Sequence, residues 1–184
     1  MIHIYIYDKT HIDSVSASEI ICNLAASYTA EYKLEGVFDT ILYGDKGKPY
    51  FKNSPDLHFS ISHSGDYWVC ALSCERIGID LQEIRDSSYL PLAKRFFHPD
   101  EYAYLSSFGT ALEEEFFNIW ASKESYVKYT GTGISENFST FSVLEPAKLF
   151  VSFNLIPFKP GYKLCLCSKN ALPFELCYQV GLQA

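Results

Sequence analysis

Four short stretches carry side chains whose types and spacing suit chemistry. In Gly78-Ile79-Asp80-Leu81-Gln82 an acidic residue interrupts an apolar run that reads as a strand. A carboxylate there is costly unless it is paired or neutralised. Asp80 therefore requires a partner, either an Arg or Lys in an ion pair or a divalent cation. Period-two geometry turns Asp80 and Gln82 to one face and Glu83 to the other, so Gln82 has a carbonyl oxygen to offer the same ion. The second stretch, Trp120 through Lys128, sets Trp120, Glu124 and Lys128 on one helical stripe at four-residue spacing. On an ordinary surface helix Glu124 and Lys128 are a solvated pair of little energetic weight. Phe116, Phe117 and Trp120 instead draw this edge toward the core and leave Glu124 at its boundary. The third stretch, Phe59-Ser60-Ile61-Ser62-His63-Ser64-Gly65, closes a strand with hydroxyls, an imidazole and a glycine. Such a turn either binds phosphate through N–H groups, hydroxyls and ring, or is purely structural. A serine nucleophile is discarded, because Ser62 and His63 point apart on a strand and no glycine-flanked elbow surrounds Ser62. In the fourth, Gly47-Lys48-Pro49-Tyr50, a turn offers a cation to solvent, or to a phosphate or nucleobase.

Rigid elements must bring these residues together. Alternation predicts strands over 2–7, 37–43, 57–62, 67–74 and 77–82, with 44–49 a turn and His63-Ser64-Gly65-Asp66 a loop between two strands. Ile20, Leu24 and Tyr28 lie at helical spacing in a helix over 16–33 entered through Ser14 or Ser16. Helical pieces over 88–97 and 99–107 precede a long helix over 111–129. Thr110 and Glu113 form a capping box for it, Glu113-Glu114-Glu115 lie at the positive end of its dipole, and Gly131 and Gly133 end it. Strands resume at 138–144, 149–156, 162–169 and 174–180, punctuated by prolines. Strand, helix and strands thus occur twice. This order predicts an α+β fold of helices on antiparallel sheets, with two similar halves, 1–76 and 77–184.

Composition narrows the function classes. The 184 residues suit one domain or two small halves with a shared interface, and 48% hydrophobic with 20% charged residues is a globular composition. A net charge of -7 is the wrong sign for gripping nucleic acid through its phosphates, although a local basic pocket is compatible with it. No apolar run approaches the roughly 20 residues that cross a bilayer, and the alternating N-terminus reads as a strand rather than a leader. The six cysteines form no CxxC pair and read as reduced core residues. Cys165 and Cys167 share one strand face, where a metal or redox site is the alternative to ordinary burial.

In this order, the four stretches resemble the 4'-phosphopantetheinyl transferases, specifically the surfactin-synthetase-activating type with two similar halves in one chain. The likeness runs from about Gly44 to Val143 and also takes in Arg95-Phe96-Phe97 with Glu101, and Gly131-Thr132-Gly133. It implies two subdomains related by a pseudo-two-fold axis, each a helix on an antiparallel sheet, with the active site at their interface. It implies transfer of phosphopantetheine from coenzyme A to a serine hydroxyl of an apo acyl or peptidyl carrier protein, with release of 3',5'-ADP. Carried over by position, Asp80, Gln82 and Glu124 would bind Mg2+, for which Mn2+ is the alternative; Gln82 stands where many members have Glu. His63 and Lys128 would contact coenzyme A phosphates with Ser62 beside them, and Lys48-Pro49 would lie at the nucleotide end. Glu124 would be the base, and Lys123 would approach the acceptor or the pyrophosphate. Larger relatives bind the 3'-phosphate through Lys and Arg of an N-terminal segment, whereas residues 1–45 here contain only Lys9 and Lys33. Weak discrimination against 3'-dephospho-coenzyme A is therefore expected, with Lys46, Lys48 and Lys52 the remaining candidates. The expected partner docks on Pro99 to Phe108, unless Tyr102, Tyr104, Leu105 and Phe108 are core. A cytoplasmic monomer without nucleic-acid or membrane partners completes the reading. The alternatives are a catalytically silent relative that binds coenzyme A or a carrier, and a metal-dependent phosphohydrolase, for which further acidic or histidine ligands are missing.

Overall fold

The computed structural model describes residues 1–12, 16–109, 111–133 and 138–178. In chain order the elements are β1 (Ile2–Asp8), α1 (Lys9–Ile12), α2 (Ala17–Tyr32), β2 (Ile41–Tyr43), β3 (Pro49–Phe51), β4 (His58–Ser64), β5 (Tyr67–Ser73) and β6 (Ile77–Glu83). They continue with α3 (Tyr89–Phe96), α4 (Pro99–Ser106), α5 (Leu112–Thr130), 3-10 turns at Phe138–Thr140 and Pro146–Leu149, β7 (Ser152–Ile156), β8 (Tyr162–Ser168) and β9 (Phe174–Tyr178). This is an α+β fold.

One sheet has the order β4-β5-β1-β9 and a second has β6-β8-β7, while β2 and β3 form a separate hairpin. All pairs are antiparallel except β1 with β9, where the chain's last described strand runs parallel to its first. Alternation along β1 explains the layering. Tyr5 and Tyr7 pack under α2 with Leu24, Tyr28 and Trp68, whereas Ile2, Ile4 and Ile6 pack against Ile77, Ile79 and Leu81 of the second sheet. The other face of β6 carries Gly78, Asp80 and Gln82 and meets α5. A Cβ at Gly78 would collide with the Ser125 carbonyl oxygen and the Tyr129 nitrogen, so only glycine permits this backbone-to-backbone approach.

The two sheets also meet at their edges. Ser60, Ser62 and Ser64 project from β4 and accept the N–H groups of Ile79, Leu81 and Glu83 at 3.0, 3.1 and 2.9 Å. β6 is an edge strand, so these hydroxyls take donors that no neighbouring strand meets. A serine at every second position of one strand therefore stitches it to every second residue of another.

Several expectations need correction. Residues 138–144 are not a strand: Phe138–Thr140 is a 3-10 turn, and the segment is held by a buried side-chain pair described below. Only Ile41–Tyr43 of the expected strand 37–43 forms. His63 and Ser64 belong to β4, so the loop shrinks to Gly65-Asp66. Ser14 and Thr110 lie outside the described residues. The α5 helix is entered from Ala111 in the left-handed region, at φ 66, without a side-chain cap. A capping box occurs instead at α4, between His98 and Glu101. All six cysteines are free; Cys70, Cys165 and Cys167 are buried, whereas Cys74 is exposed. No described helix is long and apolar enough to cross a membrane.

Candidate functional site

The site is assembled where the β4–β6 seam meets α5. Phe96, Phe97, Phe116 and Phe138 surround Trp120 and seat the helix, which sets Glu124 and Lys128 over the polar face of β6. Asp80 is 2% exposed, and both its oxygens are engaged. Oδ1 accepts from Lys128 Nζ at 2.6 Å and from Ser62 Oγ at 2.8 Å, and Oδ2 accepts from Gln82 Nε2 at 2.7 Å. Lys128 also donates to Ser62 Oγ at 2.9 Å. Ser62 thus serves the seam and the site at once. The shared face of Asp80 and Gln82 matches the alternation, and the partner of Asp80 is a lysine of another element.

Glu124 is buried one turn before Lys128. Burial first, and then the charge of Asp80, pushes its carboxyl up to about 7, against the opposing pull of Lys128. No hydrogen bond holds it among the described residues. Glu124 thus feels the charges of Asp80 and Lys128 while the ammonium itself is paired with Asp80. No group of three or more His, Cys, Asp or Glu side chains placed to hold a metal occurs among the described residues.

Beside this cluster lies a cavity of about 310 Å3, walled by Tyr43, Gly47 and Pro49 of the hairpin, Phe59 and Ile61 of β4, and Lys128 with Gly131 and Gly133 at the end of α5. Both glycines have positive φ, 74° and 78°, as the tight exit from the helix demands. His63 is exposed on the strand face that Phe59 and Ile61 present to the cavity, two residues beyond Ile61. Pro49 lines the same wall.

Two of the expected site lysines have their ammonium groups held by the protein. Lys123 is fully buried: Nζ donates to Glu101 Oε2 at 2.8 Å and to the Phe141 carbonyl at 2.6 Å, and lies 4.1 Å from the centroid of the Phe141 ring. Glu101 also accepts the N–H groups of His98 and Val143 at 2.9 and 2.7 Å. This closed pair ties α4, α5 and residues 141–143 together, and it holds the Lys123 ammonium within the protein. Lys48 is the second case. Its ammonium is turned into the protein toward three backbone carbonyls, and burial, with Arg76 second, lowers it to about 8. Lys48 also lines the cavity. Ser60 and Ser64 are seam positions beside Ser62 that local reading missed; the period-two serines were the available signal.

On Pro99 to Phe108, Leu105 is buried and Tyr102 half-buried, while Tyr104 is exposed, stacks edgewise on Phe108 and donates to Glu115 Oε1 at 3.1 Å.

Residues 76–177 match the family model of the 4'-phosphopantetheinyl transferase superfamily. The chain is similar to the 4'-phosphopantetheinyl transferase Sfp of Bacillus subtilis, with 36% identity over 136 residues, 67% of this chain and 60% of the relative. It is similar to the 4'-phosphopantetheinyl transferase psf-1 of Bacillus pumilus, with 43% identity over 97 residues, 52% and 41% of the two chains. It is also similar to the 4'-phosphopantetheinyl transferase HetI of Nostoc sp., with 41% identity over 116 residues, 58% and 49%. The chain spans about half the length of the curated relatives it matches. Because the family match takes in Asp80, Gln82, Glu124 and Lys128 on the two elements that build the site, this chain belongs to the 4'-phosphopantetheinyl transferase superfamily.

Proposed function

We propose that this chain transfers 4'-phosphopantetheine from coenzyme A to a serine hydroxyl of an apo acyl or peptidyl carrier protein and releases 3',5'-ADP. The observation that carries this reading is the joining of Asp80, Ser62, Lys128 and Glu124 beside an open cavity, in a member of the superfamily. The cavity takes the nucleotide end of coenzyme A, with His63, Ser62 and Lys128 along the phosphates.

The donor set fits Mg2+. Asp80, Glu124 and the amide oxygen of Gln82 are hard oxygen donors, and the repulsion that raises Glu124 is relieved by a divalent cation. Mg2+ commonly binds one or two carboxylates together with waters and substrate phosphates, and Mn2+ accepts the same donors. When bound, the ion neutralises charge at the pyrophosphate. Lys128 leaves Asp80 for the ligand's phosphate oxygens. Glu124 takes the proton of the carrier serine, directly or through a water, as that oxygen attacks the phosphorus nearer the pantetheine. A new phosphodiester forms, the pyrophosphate P–O bond breaks, and Lys128 meets the charge left on 3',5'-ADP.

Both halves, 1–76 and 77–184, supply the site, so the chain acts as a monomer. We place it in the cytoplasm, where coenzyme A and thiols in the reduced state coexist, in line with six free cysteines. Tyr104 and Phe108 contribute to the carrier-docking face.

The test is intact mass of apo carrier domains after incubation with the protein, coenzyme A and Mg2+, with EDTA and Asp80→Ala as controls. A gain of one phosphopantetheine, lost in both controls, is expected; no gain on any carrier overturns the reading. One observation favours a second reading. Ser62, Lys128 and Gln82 already occupy both oxygens of Asp80, as suits a silent relative that binds coenzyme A without turnover. Coenzyme A bound in calorimetry without transfer would select it.

A further inference from the structure

Lys48 stands in the turn before β3, where a ligand would meet it, yet its ammonium faces the protein. Nζ donates to the carbonyl oxygens of Lys128 and Tyr129 in the last turn of α5, and to that of Ile77 at the start of β6. An ammonium has three donors, and here three acceptors take them all. The acceptors surround the point where α5 and β6 touch through Gly78. From that junction Asp80 is two residues along β6, and Lys128 is itself one of the acceptors. The stem of Lys48 packs on Gly131, where an added Cβ would come within 3.1 Å of its Cδ. Tyr43, Gly47 and Pro49, from the same hairpin, form one wall of the cavity. A cation on a helix's last carbonyls is favourable in itself; here the cation arrives from the cavity wall.

We propose that Lys48 is a positioning residue. It joins the hairpin wall and the α5–β6 junction into one body, so that a ligand gripped by the hairpin meets Lys128, Asp80 and Glu124 in register. Its ammonium does not touch the ligand. This rests on the transferase reading.

Lys48→Met keeps the stem and removes the donors. In the ligand-free protein with EDTA, hydrogen exchange at Gly131, whose N–H bonds the Val127 carbonyl, and at Gly44 and Gly47 in the hairpin should rise together by about tenfold, with α2 unchanged. In transfer assays, kcat per folded molecule should fall by about tenfold or more, equally with coenzyme A and 3'-dephospho-coenzyme A, and by more than KM rises. Lys48→Arg should restore part of kcat. Unchanged exchange with the loss confined to KM would mean a phosphate ligand, and raised exchange with unchanged kcat would mean a mere structural cap; either overturns the proposal. If Lys48→Met does not fold, Lys48→Gln, which has two donors, is judged by the same criteria. A wild type that transfers nothing defeats the transferase reading and the proposal with it, whereas an active wild type matched by Lys48→Met defeats the proposal alone.

Discussion

Glu124 is held at an energetic disadvantage by its surroundings. Its value near 7 stands above the ordinary 4.5, so the native state binds more protons than the unfolded chain between those pH values. The metal-free fold therefore loses stability as pH rises from 4.5 to 7. Glu124→Gln removes this dependence. In urea denaturation with EDTA, the variant should gain about 3 kcal/mol over wild type at about pH 8 relative to about pH 4; an equal difference at both pH values would show that Glu124 carries no such strain. Gln82 now donates to Asp80. Gln82→Glu adds a charged oxygen to the donor set and should lower the Mg2+ concentration for half-maximal transfer, and an unchanged value would show that residue 82 does not ligate the ion. At this scale the sequence revealed which residues matter better than what they touch. The need of Asp80 for a partner follows from its apolar neighbours, but carbonyl acceptors leave no mark on local sequence. For that reason Lys48 and Lys123 both read as free cations.

At the scale of elements, the seam makes a separable prediction. Ser60→Ala strands the Ile79 N–H and should cost about 1–3 kcal/mol of stability while leaving the KM for coenzyme A nearly unchanged. Ser62→Ala strands Leu81 and also strips a hydrogen bond from Asp80 and Lys128, so both stability and activity should fall. Equal kinetic effects of the two would remove the distinction. Denaturation and steady-state kinetics on the pair decide it. Long periodic elements were legible: α2, α4, α5 and the strands of both sheets lie within a few residues of their expected bounds. Residues 138–144 were not, because two of their backbone groups, the Phe141 carbonyl and the Val143 N–H, are satisfied by the Lys123–Glu101 pair and not by a neighbouring strand. Side chains distant in sequence decided that segment's conformation.

For the whole molecule, β9 matters most. It pairs with β1 in register from Ile2 with Phe174 to Ile6 with Tyr178, so the sheet of the first half is completed by the second. Division at 76/77 divides the sequence pattern, not the hydrogen bonding. Residues 1–76 alone would expose Ile2, Ile4 and Ile6, which pack on the second sheet. That fragment should give no cooperative unfolding transition by circular dichroism, and mixing it with 77–184 should restore one; a cooperative 1–76 fragment would make the first half a domain in its own right. A parallel return of the chain to its beginning is not legible in the period of any single strand. Two sheets of this kind have four edges, and unpaired edges recruit other chains into aggregates. Here β4 and β6 are turned toward each other and closed by serine hydroxyls, so of the described edges of these two sheets β7 and β9 remain. The three serines of the seam thus also serve as protection against intermolecular β-association, and replacing Ser60 or Ser64 should speed aggregation of the stored protein.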